Sequence, residues 1–571
     1  MKSVDIRPTA RKYALQNAVQ FNGEANEKAV VGKVIAVFKS EKITPKEIIP
    51  IVASVVKQVN KISIDEQISE LKKIAPNLLI KEKKERDFSL PPLPHAEKGE
   101  VVTRFPPEPN GYLHIGHAKA VIIDYQYARM YEGKFILRFD DTNPENAHEE
   151  FYNAQKEDLM WLGIQWDEEY NTSDNLKKHY ELAEQLIKQG NAYVCDCSPE
   201  LIKNGRFNKK ECNCRNNSNE KNLDLWKEMI NTSIENRVLR LKGDMSNVNT
   251  AMRDPTLFRI IDKPHPLYEN KYRVWPTYDF AGAVEDSLSG VTHPFRTKEY
   301  ELRDECYYKL LELLNLPKPN LMEFSRLAIQ GMPVSKRKIK PLIEQGFVSG
   351  YDDIRLPTLR GLKKRGILPE AIKQFVISQG LSKVESTADF SILESLNRKI
   401  LDPITKRYFF VENPVKLVVD KAPATIKSIR LHPTDKKLGV RAIKTGNEFF
   451  VTHSDMEKLK IGDIFRLKDL YNVKIIEKKD IIISEFFSND LIPDTPKIQW
   501  TTDRFIPLKI FVPGFLFDND KFNPDSLKKV EGFSEEAVSE LKTGEIIQFE
   551  RFGFVRIENK NNSIIGYFAH K

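Results

Sequence analysis

Two histidines three residues apart, His114 and His117, close the segment Arg104-Phe-Pro-Pro-Glu-Pro-Asn-Gly-Tyr-Leu-His-Ile-Gly-His117. Val101, Val102 and Phe105 make a short apolar strand before them, and the residues from about 115 to 131 read as a helix. The pair therefore stands on one face at a helix N-terminus, where unpaired N–H groups and a partial positive charge favour a phosphate. Gly116 lacks a side chain, which lets a flat ring such as adenine come close to the backbone. Far along the chain, Val334-Ser335-Lys336-Arg337 supplies a mobile ammonium suited to the charge that develops on pyrophosphate, with Ser335 as a hydrogen-bond donor beside it. Alone, a histidine pair is weak evidence and a Ser-Lys-Arg run is usually a solvated turn. The ordered combination points to chemistry on a nucleotide.

A second cluster has a different chemistry. Cys195-Asp-Cys197 and Cys212-Asn-Cys214 account for four of the five cysteines. Four thiolates suit tetrahedral zinc, although C-x-C is tighter than the usual C-x₂-C. Ser198-Pro199-Glu200 after the first pair reads as a helix start, which predicts a compact structural knuckle. The alternative is four reduced structural thiols. In the last third of the chain Arg407, Arg466, Lys468 and Arg551 stand among Tyr408, Phe465, Phe549 and Phe552, a mixture able to grip unstacked bases.

The elements that must position these groups fall into blocks. Residues 1–95 read as a helical appendage followed by a linker. Thr44-Pro45-Lys46-Glu47 and Ser63-Ile64-Asp65-Glu66 are capping patterns, Pro50 should interrupt or kink the first of the helices that follow, and 81–94 is charged and then proline-rich. Residues 96–175 and 275–337 form a Rossmann-like parallel sheet, with strands at 101–105 and 134–139 around the histidine helix and a return to the sheet at Trp275–Phe280. An insertion, 176–274, carries the cysteines. Residues 338–405 alternate helical patterns with turns, and 406–571 give short strands separated by Gly, Asp and Asn turns, as expected of two antiparallel β-barrels. The fold class is multidomain α/β plus all-β.

In that order, the two nucleotide signals resemble the ATP-binding signatures of class I aminoacyl-tRNA synthetases. The wider chain is similar to the glutamyl/glutaminyl branch, best to glutamyl enzymes of archaeal and eukaryotic type. Pro333-Val334 departs from the Lys-Met that many members carry, but the serine and second basic residue are kept. The resemblance implies that Pro107, Glu108, His114, Gly116, His117, Ser335, Lys336 and Arg337 hold ATP. His114, His117 and Lys336 would be the catalytic groups. It implies that Asp140, in Arg138-Phe-Asp-Asp-Thr-Asn-Pro144, receives the α-ammonium at the carboxyl edge of the sheet, and that Tyr278 lines the amino-acid pocket. Arg104 is arginine in both branches, whereas Arg296 falls where glutaminyl enzymes have a small neutral residue. A second fixed cation favours glutamate, with its two carboxylates, over glutamine. Arg407 matches an anticodon contact, and Arg466 and Arg551 join it as candidates. The insertion would bind the acceptor end of tRNA, and some relatives carry zinc there.

The implied activity is ATP- and Mg2+-dependent formation of glutamyl-adenylate and transfer of glutamate to the 2′-hydroxyl of the terminal adenosine of tRNA(Glu), with tRNA(Gln) as a further acceptor in some organisms. The alternatives are a glutamine–tRNA ligase, against which Arg296 argues, and an inactive RNA-binding paralogue, against which the intact histidines, Lys336 and Asp140 argue. The net charge of +8 over 571 residues permits a polyanionic partner without demonstrating one. No long apolar run indicates a membrane span, no secretory signal is evident, and the clustered cysteines suit a reducing cytoplasm rather than a disulfide framework. The N-terminal appendage is a packing module or a contact for tRNA or a partner protein.

Overall fold

The computed structural model describes residues 5–21, 23–38, 44–78, 90–232, 236–333, 336–518, 521–560 and 563–571. The chain divides into two units, Met1–Asp87 and Phe88–Lys571. In the first, helices Arg7–Gln20, Glu27–Val37, Pro45–Val59 and Ile64–Ile74 enclose a small core that includes Ala14, Val34, Val52, Val59 and Leu71. Both expected caps form: Glu47 accepts from the Thr44 amide at 2.8 Å and Glu66 from the Ser63 amide at 2.9 Å. Pro50 does not end its helix, which runs on to Val59. The apolar row Ile48, Val52, Val55 and Val59 is buried along its whole length, and that burial outweighs the one helical bond a proline removes.

In the larger unit, Val102–Phe105, Lys134–Phe139 and Glu168–Asn171 form a three-stranded parallel sheet in that order. Helix Ile115–Met130 links the first two strands and helix Glu149–Trp161 the next two, the crossovers that parallel pairing requires. Further parallel pairs join Phe295–Thr297 to Met322–Phe324 and Leu327–Ile329 to Ser386–Ala388. The expected return to the sheet at Trp275–Phe280 is corrected here. Val274–Pro276 is the last strand of the insertion's antiparallel sheet, after Ala192–Cys195, Val238–Leu241 and Thr256–Ile260. Thr277 donates its amide to Leu257 at 2.7 Å and then serves as N-cap of helix Tyr278–Leu288. The aromatic run that reads as strand is therefore split by a capping threonine.

Helices Leu359–Arg365, Pro369–Gln379 and Phe390–Leu401 share one core with the parallel sheet: Leu362, Phe375 and Leu393 pack in the same cluster as Val121, Leu137 and Phe139. The end of the expected linker also docks. Leu90 and Leu93 are buried in that core, and the Tyr127 hydroxyl donates to the Pro91 carbonyl at 2.9 Å.

The C-terminal region forms two seven-stranded sheets, each nearly closed into a barrel. In one, the edge strands Arg407–Tyr408 and Phe410–Glu412 are successive pieces of chain; in the other, Lys497–Ile498 and Trp500–Thr502 are. A sheet whose two edges are adjacent in sequence must wrap on itself. The ladders are mixed rather than purely antiparallel, since Pro414–Asp420 runs parallel to Ile481–Ser488 and Phe505–Pro513 parallel to Ser563–His570. Among the described residues, no helix is long and apolar enough to cross a membrane.

Candidate active site

His114 is the N-cap of helix Ile115–Met130. Its Nδ1 accepts from the Gly116 amide at 3.1 Å and the His117 amide at 3.4 Å, while His117 Nδ1 accepts from the His114 amide at 3.3 Å. The rings stack with centroids 3.8 Å apart. Each Nδ1 is thus an acceptor, so each neutral ring carries its proton on Nε2 and can donate outward. Burial lowers the His117 pKa to about 4, and burial together with His117 holds His114 well below its ordinary value. At neutral pH the pair offers two N–H dipoles rather than two cations. Gly116 is required locally, because a Cβ there would meet the His114 ring at 2.9 Å.

The histidines open onto a cavity of about 380 Å³ lined also by Asn110, Gly111, Thr297, Glu299, Phe324, Arg326 and Tyr351. Arg326 pairs with Glu299 at its rim. Lys119, two residues beyond His117, is buried with its ammonium on the Ser325 carbonyl at 2.7 Å, and burial lowers its pKa to about 8. Pro107 and Glu108 do not line this cavity. The Pro107 carbonyl accepts from the Asp140 amide at 3.0 Å, and the Glu108 carbonyl from Gln155 at 3.0 Å, bonds that fix the loop. Ser335 lies outside the described residues, as does the side chain of Lys336; Lys336 itself is the first residue of helix Lys336–Glu344 and Arg337 is exposed.

Beside this cavity a charged cluster is buried. Arg104 grips Asp286 with two bonds, 2.9 and 3.1 Å, and donates a third to the Phe295 carbonyl at 2.8 Å. Arg138 reaches the same aspartate at 2.8 Å, and the Tyr307 hydroxyl completes it at 3.1 Å. Burial raises the Asp286 pKa, but Arg104 and Arg138 more than offset it, so the carboxylate stays ionised. The candidate Arg104 is thus already paired with a buried carboxylate in this structure. Asp286, Arg138 and Tyr307 escaped the sequence reading; the acidic pair Glu285-Asp286 after the apolar run Phe280–Val284 was the available signal. Asp140 accepts from Arg138 at 3.1 Å and Thr172 at 2.8 Å, both on Oδ1. Tyr278 packs against Tyr300 in a tilted pair, with centroids 4.7 Å apart, and Arg104 and Arg296 both act on its hydroxyl electrostatically. Arg296 pairs with Asp304 and lies over the Tyr307 ring.

In the insertion, the sulfur atoms of Cys195, Cys197, Cys212 and Cys214 lie within 4.8 Å of one another. Cys195–Cys212 and Cys197–Cys214 are each 3.8 Å apart. A tetrahedron with zinc–sulfur bonds of about 2.3 Å has edges of about 3.8 Å, so the four sulfurs fit zinc. Tyr193 and Arg240 reach Cys212 Sγ at 3.6 and 3.7 Å. Asp254, in Met252-Arg-Asp-Pro-Thr256, accepts from Tyr193, Arg215 and the Gly243 amide, which makes that motif the frame of the knuckle. Helix Pro199–Phe207 beyond it walls a cavity of about 770 Å³ together with Arg206 and Arg259. Those two guanidiniums donate to main-chain carbonyls of Thr250, Pro276 and Thr142, and neither forms an ion pair among the described residues.

The barrel arginines differ among themselves. Arg466 is buried and donates to Asn472 and to the Leu470 and Asn489 carbonyls. Arg407 pairs with Asp402, and Arg551, at φ +63° on an exposed turn, grips Asp455.

A nucleotide-sized cavity at a histidine-capped helix, a parallel sheet with an inserted cysteine knuckle and two barrels behind it together define an aminoacyl-tRNA ligase. A profile described as tRNA synthetases class I (E and Q), catalytic domain, matches residues 100–403, and two anti-codon binding domain profiles of the same group match 405–488 and 497–558. The chain belongs to this family of class I tRNA synthetases. It is 44% identical over 570 residues to the glutamate–tRNA ligase of Nitrosopumilus maritimus, covering 99% of this chain and 100% of that one. It is 41% identical over 583 residues to that of Pyrococcus furiosus and 43% over 581 to that of Pyrococcus horikoshii, both covered end to end.

Proposed function

We propose that this chain joins glutamate to tRNA: it activates the α-carboxylate with ATP and passes the glutamyl group to the terminal adenosine, by class on its 2′-hydroxyl. The observation that carries the adenylate step is the pair of neutral imidazoles with both Nε2–H bonds free to point into the cavity beside a helix N-terminus. Attack of a carboxylate on the α-phosphate needs alignment and stabilisation of charge on the phosphate oxygens, not a protein nucleophile. Dipoles fixed by a reciprocal cap need little reorganisation as that charge develops. Lys336 would follow the departing pyrophosphate, and magnesium arriving with ATP would neutralise its phosphates.

Asp140 would take the α-ammonium, Tyr278 would flank it, and Arg296 would take the side-chain carboxylate. The cavity of about 770 Å³ borders this pocket through Thr277, next to Tyr278. Its two guanidiniums without a carboxylate partner suit the phosphates of a single-stranded acceptor end. Arg407 and Arg551 remain candidates for the anticodon, and tRNA(Gln) a candidate second acceptor. The four cysteines would hold structural zinc, and five free thiols suit the cytoplasm.

ATP–pyrophosphate exchange and charging with purified tRNAs test it. Arg296→Cys should lower kcat/KM for glutamate by about 100-fold or more, as expected for the loss of a charged anchor, and change that for glutamine far less. Equal losses for both amino acids would refute the assignment.

A further inference from the structure

We propose that Asp304 is an exchangeable counter-ion, which holds Arg296 while the pocket is empty and releases it to the side-chain carboxylate of the incoming amino acid. The inference rests on the reading that Arg296 receives that carboxylate.

The two arginines of this region are held in contrasting ways. Arg104 is bound to Asp286 through two parallel bonds, with side-chain exposures of 3% and 1%, and a third donor is taken by a carbonyl. Nothing in that arrangement can leave without stranding a buried charge. Arg296 is as deeply placed, at 5%, but among the described residues its one ion pair is through Nη2 to Asp304, whose side chain is 29% exposed. Its Nε is buried and finds no partner among the described residues. A guanidinium over an aromatic ring with one edge held and one donor unmet is prepared for a bidentate carboxylate.

Asp304 is also a weak holder. It begins helix Asp304–Leu314, and it faces Glu323 on strand Met322–Phe324 as well as Arg296 on strand Phe295–Thr297. Burial raises its pKa, Arg296 lowers it and Glu323 raises it, leaving it at about 6. Glu323 has its own cation, Lys383, at 2.5 Å, so it does not depend on Arg296. When a substrate carboxylate takes the guanidinium, Asp304 can move to solvent at the helix N-terminus, where a negative charge is tolerated. Glutamine offers no carboxylate for the exchange and must displace an ion pair with a neutral amide. Asp304 thereby adds to discrimination against glutamine without touching either substrate.

The full-length chain assayed with saturating ATP and tRNA tests this. Asp304→Asn should lower KM for glutamate about fivefold or more, the usual size of coupling between two ligands that compete, with kcat nearly unchanged. Glutamine should gain as much or more, so the ratio of the two substrates' kcat/KM should not rise. Asp304→Glu should return KM toward the original value. If Asp304→Asn gives an unchanged or higher KM for glutamate, Asp304 merely positions Arg296 and the exchange is overturned. Should Asp304→Asn not fold, Asp304→Ser carries the same expectation. Arg296→Cys separates the two ideas: no effect on glutamate defeats the reading of Arg296 itself, whereas a large loss with a raised KM in Asp304→Asn defeats only the exchange.

Discussion

At the scale of single residues, the two histidines show how an ordinary helix cap becomes chemical equipment. The lone pair on each Nδ1 is engaged by a main-chain amide, and this dictates which nitrogen faces the ligand. In His117→Asn the side-chain oxygen could keep the cap, while the shorter carboxamide draws its donor back from the place that Nε2 occupies. His117→Asn is expected to lower the rate of ATP–pyrophosphate exchange about 10²–10³-fold, the loss seen when one preorganised donor is removed, with little change in Tm. A loss under about fivefold would take His117 out of the phosphate site. The depressed pKa has a further consequence. With a folded pKa of about 4 and an unfolded value near 6.5, the unfolded chain binds more protons between those limits. The stability His117 contributes is complete above about 6.5 and declines as pH falls toward 4. Tm measured across that window should fall less steeply in His117→Asn than in the parent chain.

At the scale of elements, helix Pro199–Phe207 buries none of its own residues. Its place beside the large cavity of the insertion is therefore held by the knuckle at its start and by the bonds of Arg206 with Thr250 and Arg253 near its end, not by a fully buried hydrophobic face. Chain purified without chelator should hold about one zinc, as four thiolates at this spacing require, and Cys195→Ser/Cys197→Ser should hold none. Hydrogen exchange in the variant should quicken over 198–212 while helix Ile115–Met130 stays protected. If exchange there is unchanged, the cysteines are plain structural thiols.

At the scale of the whole of the larger unit, a hairpin from a C-terminal barrel reaches the segment that carries Lys336. Phe515 packs on Gly331, the Phe517 amide donates to the Gly331 carbonyl at 3.4 Å, and Phe522 stacks on Phe347 with centroids 4.2 Å apart. Leu516 is fully buried in a small core with Ile339, Leu342 and Leu356. Leu516→Ala should cost about 2–5 kcal/mol by leaving a cavity, and it should lower pyrophosphate exchange because helix Lys336–Glu344 loses its backing. Unaltered exchange alongside a lowered Tm would show that the contact is structural only.

Local pattern alone determined a good deal. The strand–helix–strand around His114 and His117, both N-terminal caps and the cysteine knuckle were legible because each depends on residues close in sequence. Pairing across the fold was not. That Arg104 is held by Asp286 while Arg296 keeps an unmet donor depends on partners far along the chain or on neighbouring elements, as does the burial of Arg466. Trp275–Phe280 misled for the same reason: whether an aromatic run extends a parallel sheet or closes an antiparallel one is decided by which ladder offers it hydrogen bonds. Residue type says which groups can carry charge or bind a metal. Only tertiary structure decides which of them are already satisfied, because burial makes an unpaired charge too costly to leave and so assigns every partner at once.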